Sequence, residues 1–593
     1  MKKRLFTLAA LALAVTSVQA SVVINSDNFP DENFLWEVEN NWDSDQNGVL
    51  SDQEIAERDF VSLSGVTNFK GIEYFYHITT LLISGLNSDG NPVSNLDLTK
   101  FTKLERVEIS EYPDITSLDF TKSPNLKSLL IATMSGLTTV QIPASIESLY
   151  MWWNPKLTTV NLDACRVNLN ELHLADVGIK DVDVSNFKNL HRIYIEGDGE
   201  ERIYSLNSLN IAGCDNLWSI SIQWTDIETV TIKDLPEFGE ATVSDNDIRK
   251  LTVDNCPKLV FLDCQNNKLP ELTIKKCEAF WRIFASDNYM RTLIIDESPA
   301  LAEVVAENNQ MMWLDLSNVV KDINVEDAPL RINNQHPSAV AFKLSPTEVG
   351  LKVHDRMNPA RMKNLKVGGK SITATETAID GIRYLVFYDD GVNVENVVGN
   401  KTTYEYETKW PYPWIDENSK DNNLPVALNI TSWTKHQAFL TLSTNNVKGE
   451  YGKPAPAAPT VTRSEGYDGQ ITFSSDNESV VKVDPETGAL TIVGPGTATI
   501  YVNGDATDYR LAPATQTYTV VIEVMLGDIN VDGKVDVSDY IGIANRILGQ
   551  TPEGFNEKAG DIDGNNVIDV SDYIGVANII LTGSPYGSRT FLP

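Results

Sequence analysis

Three consecutive segments of the chain align without a gap: LTVDNCPKLVFLDCQNNKLPE (251–271), LTIKKCEAFWRIFASDNYMRT (272–292) and LIIDESPALAEVVAENNQMMW (293–313). A unit this short cannot bury its own apolar face, so it must stack on copies of itself. Apolar side chains recur at Leu259, Leu262, Cys264 and Leu269 around Asn267; the next two segments repeat this with Phe280, Ile283, Ala285, Met290 around Asn288 and Leu301, Val304, Ala306, Met311 around Asn309. Earlier turns are looser, as at Leu172 and Leu174 or Ile193 and Ile195, with an insertion near Asp198–Tyr204. The array is expected over 61–331 as about eleven coils, on the order of 50 Å long at normal strand spacing. The repeating Asn (Asn246, Asn267, Asn288, Asn309) should turn the chain and bond the backbone of the adjacent coil.

These positions spell LxxLxLxxNxL, and the stretch resembles secreted bacterial leucine-rich-repeat proteins. The resemblance implies a solenoid with one continuous core of stacked Leu, Ile and Val. Four cysteines, Cys165, Cys214, Cys256 and Cys277, share one repeat position, and Cys264 takes a core position. An odd count without a CxxC pair argues for small buried hydrophobes rather than a disulfide framework or zinc site. Cys256 and Cys277, one coil apart, would still lie within disulfide range. On the outward strand faces Tyr150, Trp152, Tyr194, Phe261 and Phe284 stand among Glu171, Glu196, Asp263, Arg282 and Glu303. Such a strip suits a protein or glycan ligand; aromatics filling gaps between neighbours on a sheet would give the same pattern.

The end of the chain repeats on a different scale. Val537–Gly542 recurs letter for letter as Val570–Gly575, 33 positions later. Ahead of each copy, oxygen-bearing residues stand at loop positions one, three, five, nine and twelve: Asp528, Asn530, Asp532, Asp536, Asp539, then Asp561, Asp563, Asn565, Asp569, Asp572. Ca²⁺ takes 6–8 oxygen ligands, and this spacing delivers them, with a backbone carbonyl at position seven from Lys534 and Val567. Gly533 holds the sharp turn at position six; Asn566 replaces it in the second loop, where it tolerates a left-handed backbone. A helix follows each loop, with Tyr540, Ile543, Ala544 and Ile547 on one face of the first and Tyr573, Val576, Ala577 and Ile580 at the matching positions of the second. Residues 526–583 resemble a type I dockerin. The resemblance implies Ca²⁺ as cofactor and a cohesin-domain protein as partner. In that family the partner contacts fall on loop positions ten and eleven and on the helix, which here are Val537, Ser538, Asn545 and Val570, Ser571, Asn578. Their near-identity is what a two-fold, dual-orientation binder would show.

A third loop lies near the start. Within 21–60, DSDQNGVLSDQE follows a helical stretch holding Phe34, Leu35 and Val38, and precedes Ile55–Arg58. Asp43, Asp45, Asn47, the Val49 carbonyl, Ser51 through a water, and Glu54 match positions one, three, five, seven, nine and twelve of an EF-hand, with Gly48 at the turn. A lone site capping a repeat array suits a structural role. Residues 332–450 alternate as short strands (YLVFYDD, TTYEYETKW, PVALNIT, QAFLTLST) and are expected to form a small β-sandwich. Asp389, Asp390, Glu395, Glu405 and Glu407 there read as a solvated face. The Pro/Ala stretch 451–459 reads as a stiff linker. Residues 460–525, with SSDNESVVKVD, a TGAL turn and GPGTATI, resemble a group 2 bacterial Ig-like domain; the resemblance implies a sandwich used as a spacer.

The fold class expected is therefore multidomain: solenoid, β-sandwich modules and a small all-α calcium-binding tail. The formal charge of −34 argues against nucleic acid and anionic membranes as partners. Residues 1–20, with Lys2, Lys3, Arg4, an apolar run Leu5–Val15 and Ala20, read as a signal peptide for secretion. No other stretch is apolar enough for a membrane span, and 584–593 is a short tail. No nucleophile stands with a base, and the six His share no motif, so a non-catalytic recognition and assembly protein is expected, secreted or held at a cell surface through its partner, with the cohesin docking it into a polysaccharide-degrading or cell-surface complex. Two alternatives stay open: a glycoside hydrolase with its catalytic module at 332–450, which needs two carboxylates framing a cleft, and a surface adhesin with a calcium-stabilised tail.

Overall fold

The structure is a computed structural model and describes residues 21–85, 92–197, 199, 206–322, 328–388, 397–412 and 422–583. The signal segment 1–20, the tail 584–593 and the acidic residues Asp389, Asp390 and Glu395 lie outside the described residues. The chain divides into two compact units. The first runs to Ser338 and adds 360–371 and 401–429; the second takes 339–359, 372–400 and 430 onward.

In the first unit, a 13-stranded sheet runs from Phe60–Ser64 to Leu330–Arg331, one strand per coil. Every recorded pairing is parallel, as between Phe261–Asp263 and Arg282–Phe284. The far side of the coils carries shorter parallel sheets, the largest joining Thr229–Lys233, Lys250–Asp254, Glu271–Lys275 and Thr292–Asp296. Strand count thus exceeds the eleven coils expected, because the looser first and last turns also pair. Every motif position of the three aligned segments is buried, from Leu259 at 0 % exposed to Asn267 at 5 %. All five cysteines are buried and free, Cys256 and Cys277 included.

The asparagines work as expected. Asn267 donates from Nδ2 to the carbonyl oxygens of Val243 (2.8 Å) and Gln265 (3.0 Å), and its Oδ1 accepts from the Ile248 amide (2.9 Å). Asn246, Asn288 and Asn309 repeat this bridge to the preceding coil, Asn154 makes it earlier, and Gln335 makes it at the last turn. Each side chain satisfies backbone groups that the turning chain would otherwise bury unpaired.

Residues 21–59 pack on the first coil through edge-on aromatics: Phe34 against Trp42 (5.6 Å between centroids) and Trp42 against Phe75 (4.8 Å). The helix Glu32–Glu37 continues as a π-turn, Val38–Trp42, into the acidic loop, and the helix after the loop is Asp52–Ala56, starting three residues earlier than expected. Asp31 caps the first helix and also accepts from the Thr67 and Asn68 amides, tying the module to the coils.

Residues 332–450, expected as one β-sandwich-like module, contribute to both compact units. Strand Lys401–Glu407 pairs antiparallel with Met362–Val367 and with 423–429 in the first unit. In the second, Glu348–Lys352 pairs antiparallel with Ser338–Lys343 and Ile382–Tyr388, and the latter with Ala374–Ile379. The boundary at 450 also moves. Leu440–Leu442 pairs with Val461–Arg463, and Asn446–Glu450 pairs parallel with Gln516–Glu523, so the Pro/Ala stretch joins strands of one set instead of separating two modules. The physical reason is the core that both sides share: Leu440 and Val447 pack with Ile471, Ile500, Val502, Val520 and Ile522. The chain ends in helices Val537–Ile547 and Val570–Thr582.

Candidate metal centres and docking face

The three acidic loops have one architecture. At position one, both carboxylate oxygens accept backbone amides from positions five and six: Asp43 from Asn47 (3.2 Å) and Gly48 (2.8 Å), Asp528 from Asp532 (3.0 Å) and Gly533 (2.8 Å), Asp561 from Asn565 (2.9 Å) and Asn566 (2.8 Å). At position twelve the carboxylate accepts the amides of positions two and nine: Glu54 from Ser44 (2.8 Å) and Ser51 (2.9 Å), Asp539 from Ile529 (2.9 Å) and Asp536 (2.8 Å), Asp572 from Ile562 (2.6 Å) and Asp569 (2.9 Å). Position nine (Ser51, Asp536, Asp569) is in each case the N-cap of the exit helix, and with position twelve it forms a capping box. The ligand spacing and the helix start are therefore one signal.

Position six is left-handed in all three loops, with Gly48 at φ +79°, Gly533 at +86° and Asn566 at +63°. Position four is left-handed as well, at Gln46 (+56°), Val531 (+59°) and Gly564 (+73°). Nothing in the local pattern marks this at Val531, since β-branched residues rarely adopt it. Only the wrap of the loop around a common centre imposes it.

The donor set fits a hard cation. Asp43, Asp45 and Glu54 offer carboxylate oxygens within 4.8 Å of one another, and so do Asp561, Asp563 and Asp572. Between Asp528 and Asp539, Asn530 replaces one acid at position three. Asp528, Asp539 and Asp572 are fully buried. Burial pushes the Asp528 and Asp539 carboxyls up, each further raised by neighbouring acids. In Glu54 the donated hydrogen bonds of Ser51 and Ser44 dominate, and its carboxyl falls to about 2. Buried acids crowded this closely call for a cation among them. The ring of carboxylates with the position-seven carbonyls of Val49, Lys534 and Val567 would supply the oxygens.

The two tail segments pack as a mirrored pair. Tyr540 stacks on Tyr573 at 4.1 Å, and Ile529, Ile543, Ala559, Ile562 and Val576 form the core. Gly542 and Gly575 leave room for the isoleucine at position two of each loop: a Cβ would lie 2.1 Å from Ile529 Cδ1 or 2.6 Å from Ile562 Cγ2. The residues expected to contact a partner divide. Val537, Ser538, Val570 and Ser571 are exposed, while Asn545 and Asn578 are half-buried. Sequence reading missed Ile541 and Leu548, which extend the face of Val537 at 54 % and 78 % exposed, and Ile574 and Leu581, which extend that of Val570 at 53 % and 81 %. The signal was available: each pair stands 33 residues apart, on the helix side away from Ile543 and Val576.

On the coils, Tyr150, His173 and Tyr194 face one another across three adjacent strands. Ring centroids are 4.6 Å apart for Tyr150 and His173, and 5.6 Å for His173 and Tyr194. Tyr150 donates to Glu171 (2.7 Å) and Tyr194 to Glu196. Trp152 packs edge-on beside Tyr150. Phe261 and Phe284 pack on each other at 5.4 Å as a separate pair, with Arg282 over Phe261. The strip is thus two clusters, both half-buried, and His173 was the member not foreseen.

In the 332–450 region, Glu405 accepts from Asn364 (3.0 Å) and Glu407 pairs with Lys409 (2.7 Å), a solvated face as expected. The second unit holds a buried triad not marked by the sequence: His436, 1 % exposed, lies between the Tyr384 hydroxyl (2.8 Å from Nδ1) and Asp380 Oδ2 (3.1 Å from Nε2). Asp380 Oδ1 accepts the Glu465 amide (2.8 Å), so this group ties a hairpin tip to the strands beyond.

Residues 526–581 match the family model described as "Dockerin type I domain". The chain carries this calcium-binding, cohesin-docking domain in just under a tenth of its length. Among solved structures, the functional domain of InlJ from Listeria monocytogenes is similar at 15 % identity and a TM-score of 0.31, covering 70 % of this chain and 99 % of that one. InlP of the same organism is similar at 14 % identity and a TM-score of 0.28, over 70 % and 99 %. Among curated proteins, "Intimin" from Hafnia alvei is 29 % identical over 96 residues, which is 16 % of this chain and 32 % of the relative. The match spans about a third of that relative's length. No helix among the described residues is long and apolar enough to cross a membrane.

Proposed function

We propose that this chain is a secreted, non-catalytic recognition and assembly protein. Its calcium-loaded dockerin docks onto a cohesin of a polysaccharide-degrading or cell-surface complex. The leucine-rich coils present a protein or glycan ligand site, and the Ig-like strands act as a spacer. The observation that carries the docking is the mirrored tail. Two loops of the same hydrogen-bonding pattern start two helices, and each helix exposes the same apolar and hydroxyl residues: Val537, Ser538, Ile541 and Leu548 against Val570, Ser571, Ile574 and Leu581. A monomer leaves isolated apolar residues exposed routinely, but two matched rows over metal loops make a docking surface. The EF-hand-like loop at 43–54 serves as a calcium-stabilised cap on the first coil. A pull-down of immobilised type I cohesins by the full chain, in calcium and in chelator, tests the reading; capture in calcium alone supports it, and no capture by any cohesin removes it.

A further inference from the structure

At the carboxyl ends of the coil strands, one position recurs just past the paired column Trp152, Ala175, Glu196 and Gln223. It is held by Trp153, Asp176, Gly197 and Trp224 in four successive coils. Later coils fill it with Asp245, Asn266, Asp287, Asn308 and Asn334, all at positive φ between +52° and +60°. Asp and Asn are the side chains that enter this backbone region most readily. Trp153 (+52°) and Trp224 (+53°) adopt it too, where a bulky side chain is an uncommon and costly choice. The stack does not need an indole there in order to turn.

Both indoles line a trough of about 600 Å³, together with Thr133, Ser135, Asp176 and Glu196. Trp153 is 59 % exposed. Gly197 lets the neighbouring coil come close, because a Cβ there would lie 2.0 Å from the Trp224 carbonyl oxygen. Three coil steps separate the indoles, roughly 14 Å at normal strand spacing. That is too wide for one ammonium group to touch both rings, since a cation must lie within about 6 Å of a ring centre. The ligand must be elongated. Backbone amides at the rim are already committed to the ladder, Gly197 to Gln223 (3.0 Å) and Trp224 to Asp245 (3.0 Å), so an extended peptide finds no strand edge to pair with. Asp176 and Glu196 offer carboxylate oxygens as acceptors, Thr133 and Ser135 offer hydroxyls, and among the described residues no Lys or Arg lines the trough. The net charge of −34 turns away anionic chains.

We infer that the trough between Trp153 and Trp224 binds an uncharged oligosaccharide, whose ring faces stack on the indoles and whose hydroxyls donate to Asp176 and Glu196. This narrows the ligand of the coils to one class, at an edge the sequence did not mark. It stands or falls independently of cohesin docking. The test is calorimetric titration of the full chain with cellohexaose, xylohexaose, sialyllactose and a lysine decapeptide. The variants are Trp153→Asn and Trp224→Asn, the residue type that later coils carry. One of the two neutral sugars should bind, with sialyllactose and the peptide inert. Each variant should weaken that affinity at least tenfold without lowering the hydrogen-exchange protection of the neighbouring coil strands. Failure of both neutral sugars, preference for the peptide or the anionic sugar, affinity unchanged in the variants, or lost exchange protection of the neighbouring coils alongside lost binding would each overturn the assignment; cohesin capture by the same variants should be unaffected.

Discussion

Replacing Asn267 by alanine should be one of the most damaging single polar changes in the coils, and the structure sets its size. Asn267 is 5 % exposed, and three of its bonds are to backbone groups of its own and the preceding coils. The Val243 carbonyl would keep a second donor, Asn246 Nδ2 at 3.1 Å, so it is not orphaned. The Ile248 amide would be, because Ile248 is 0 % exposed and water cannot replace Oδ1. One buried unpaired amide costs about 1–3 kcal/mol. Arg249→Ala removes only an exposed ion pair to Glu228 at 3.4 Å, where the expected loss is below about 1 kcal/mol. A chain of several units does not unfold in one step, so a single denaturation curve would mislead. Hydrogen exchange of the full chain, read by mass spectrometry, resolves the site. Protection over 243–270 should fall by roughly 5- to 160-fold in Asn267→Ala, the fold-change equivalent of about 1–3 kcal/mol, and remain near wild type in Arg249→Ala. Because contacts in such a stack are between neighbouring coils, peptides over 101–131 should not change. Equal effects from the two variants, or loss spread along the whole array, would refute the reasoning.

Three further outcomes are expected. Ser538→Asp or Ser571→Asp alone should cost a factor of about two in cohesin affinity, roughly 0.4 kcal/mol, and the pair far more, measured by titration; a large loss from either single change would leave one working face. Chelation should melt the helices Val537–Ile547 and Val570–Thr582 while the coil sheet persists, because metal binding supplies much of a small domain's folding free energy; unchanged helical ellipticity would contradict it. Burial pushes the Cys165 and Cys256 thiols up to about 12 and Cys277 to about 11, so the thiolate, the reactive form, is absent at pH 8; a thiol reagent should label none of the five in the native chain and all five once it is unfolded.

Much of this was legible because two periods carry it. A 21-residue unit must stack, which fixed the buried positions of Leu259, Leu262 and Leu269 and the bridging role of Asn267. Oxygens at fixed loop offsets likewise marked the carboxylates that the structure brings within 4.8 Å of one another, Asp43, Asp45 and Glu54 in one loop and Asp561, Asp563 and Asp572 in another. Less legible were properties set by partners distant in sequence. The strand Asn446–Glu450 belongs with Gln516–Glu523 through a parallel pairing that no local pattern encodes. The meeting of Asp380, Tyr384 and His436 depends on the same kind of long-range register. The left-handed Val531 defies its own propensity and follows only from the closed loop. Ile541 and Ile574 were readable as helix positions, but apolar residues on an outer face gain meaning only once the inner face is known.

Calcium-controlled docking by the tail is the centre of the proposed function. The decisive measurement is equilibrium binding of the full chain to an immobilised type I cohesin, in calcium and in chelator, beside the double variant Asp528→Ala/Asp561→Ala. These two carboxylates each accept two loop amides and stand at position one of their loops. Binding should be saturable in calcium, absent in chelator and absent for the double variant even in calcium. Equal binding with and without calcium, or an unimpaired double variant, would contradict the account.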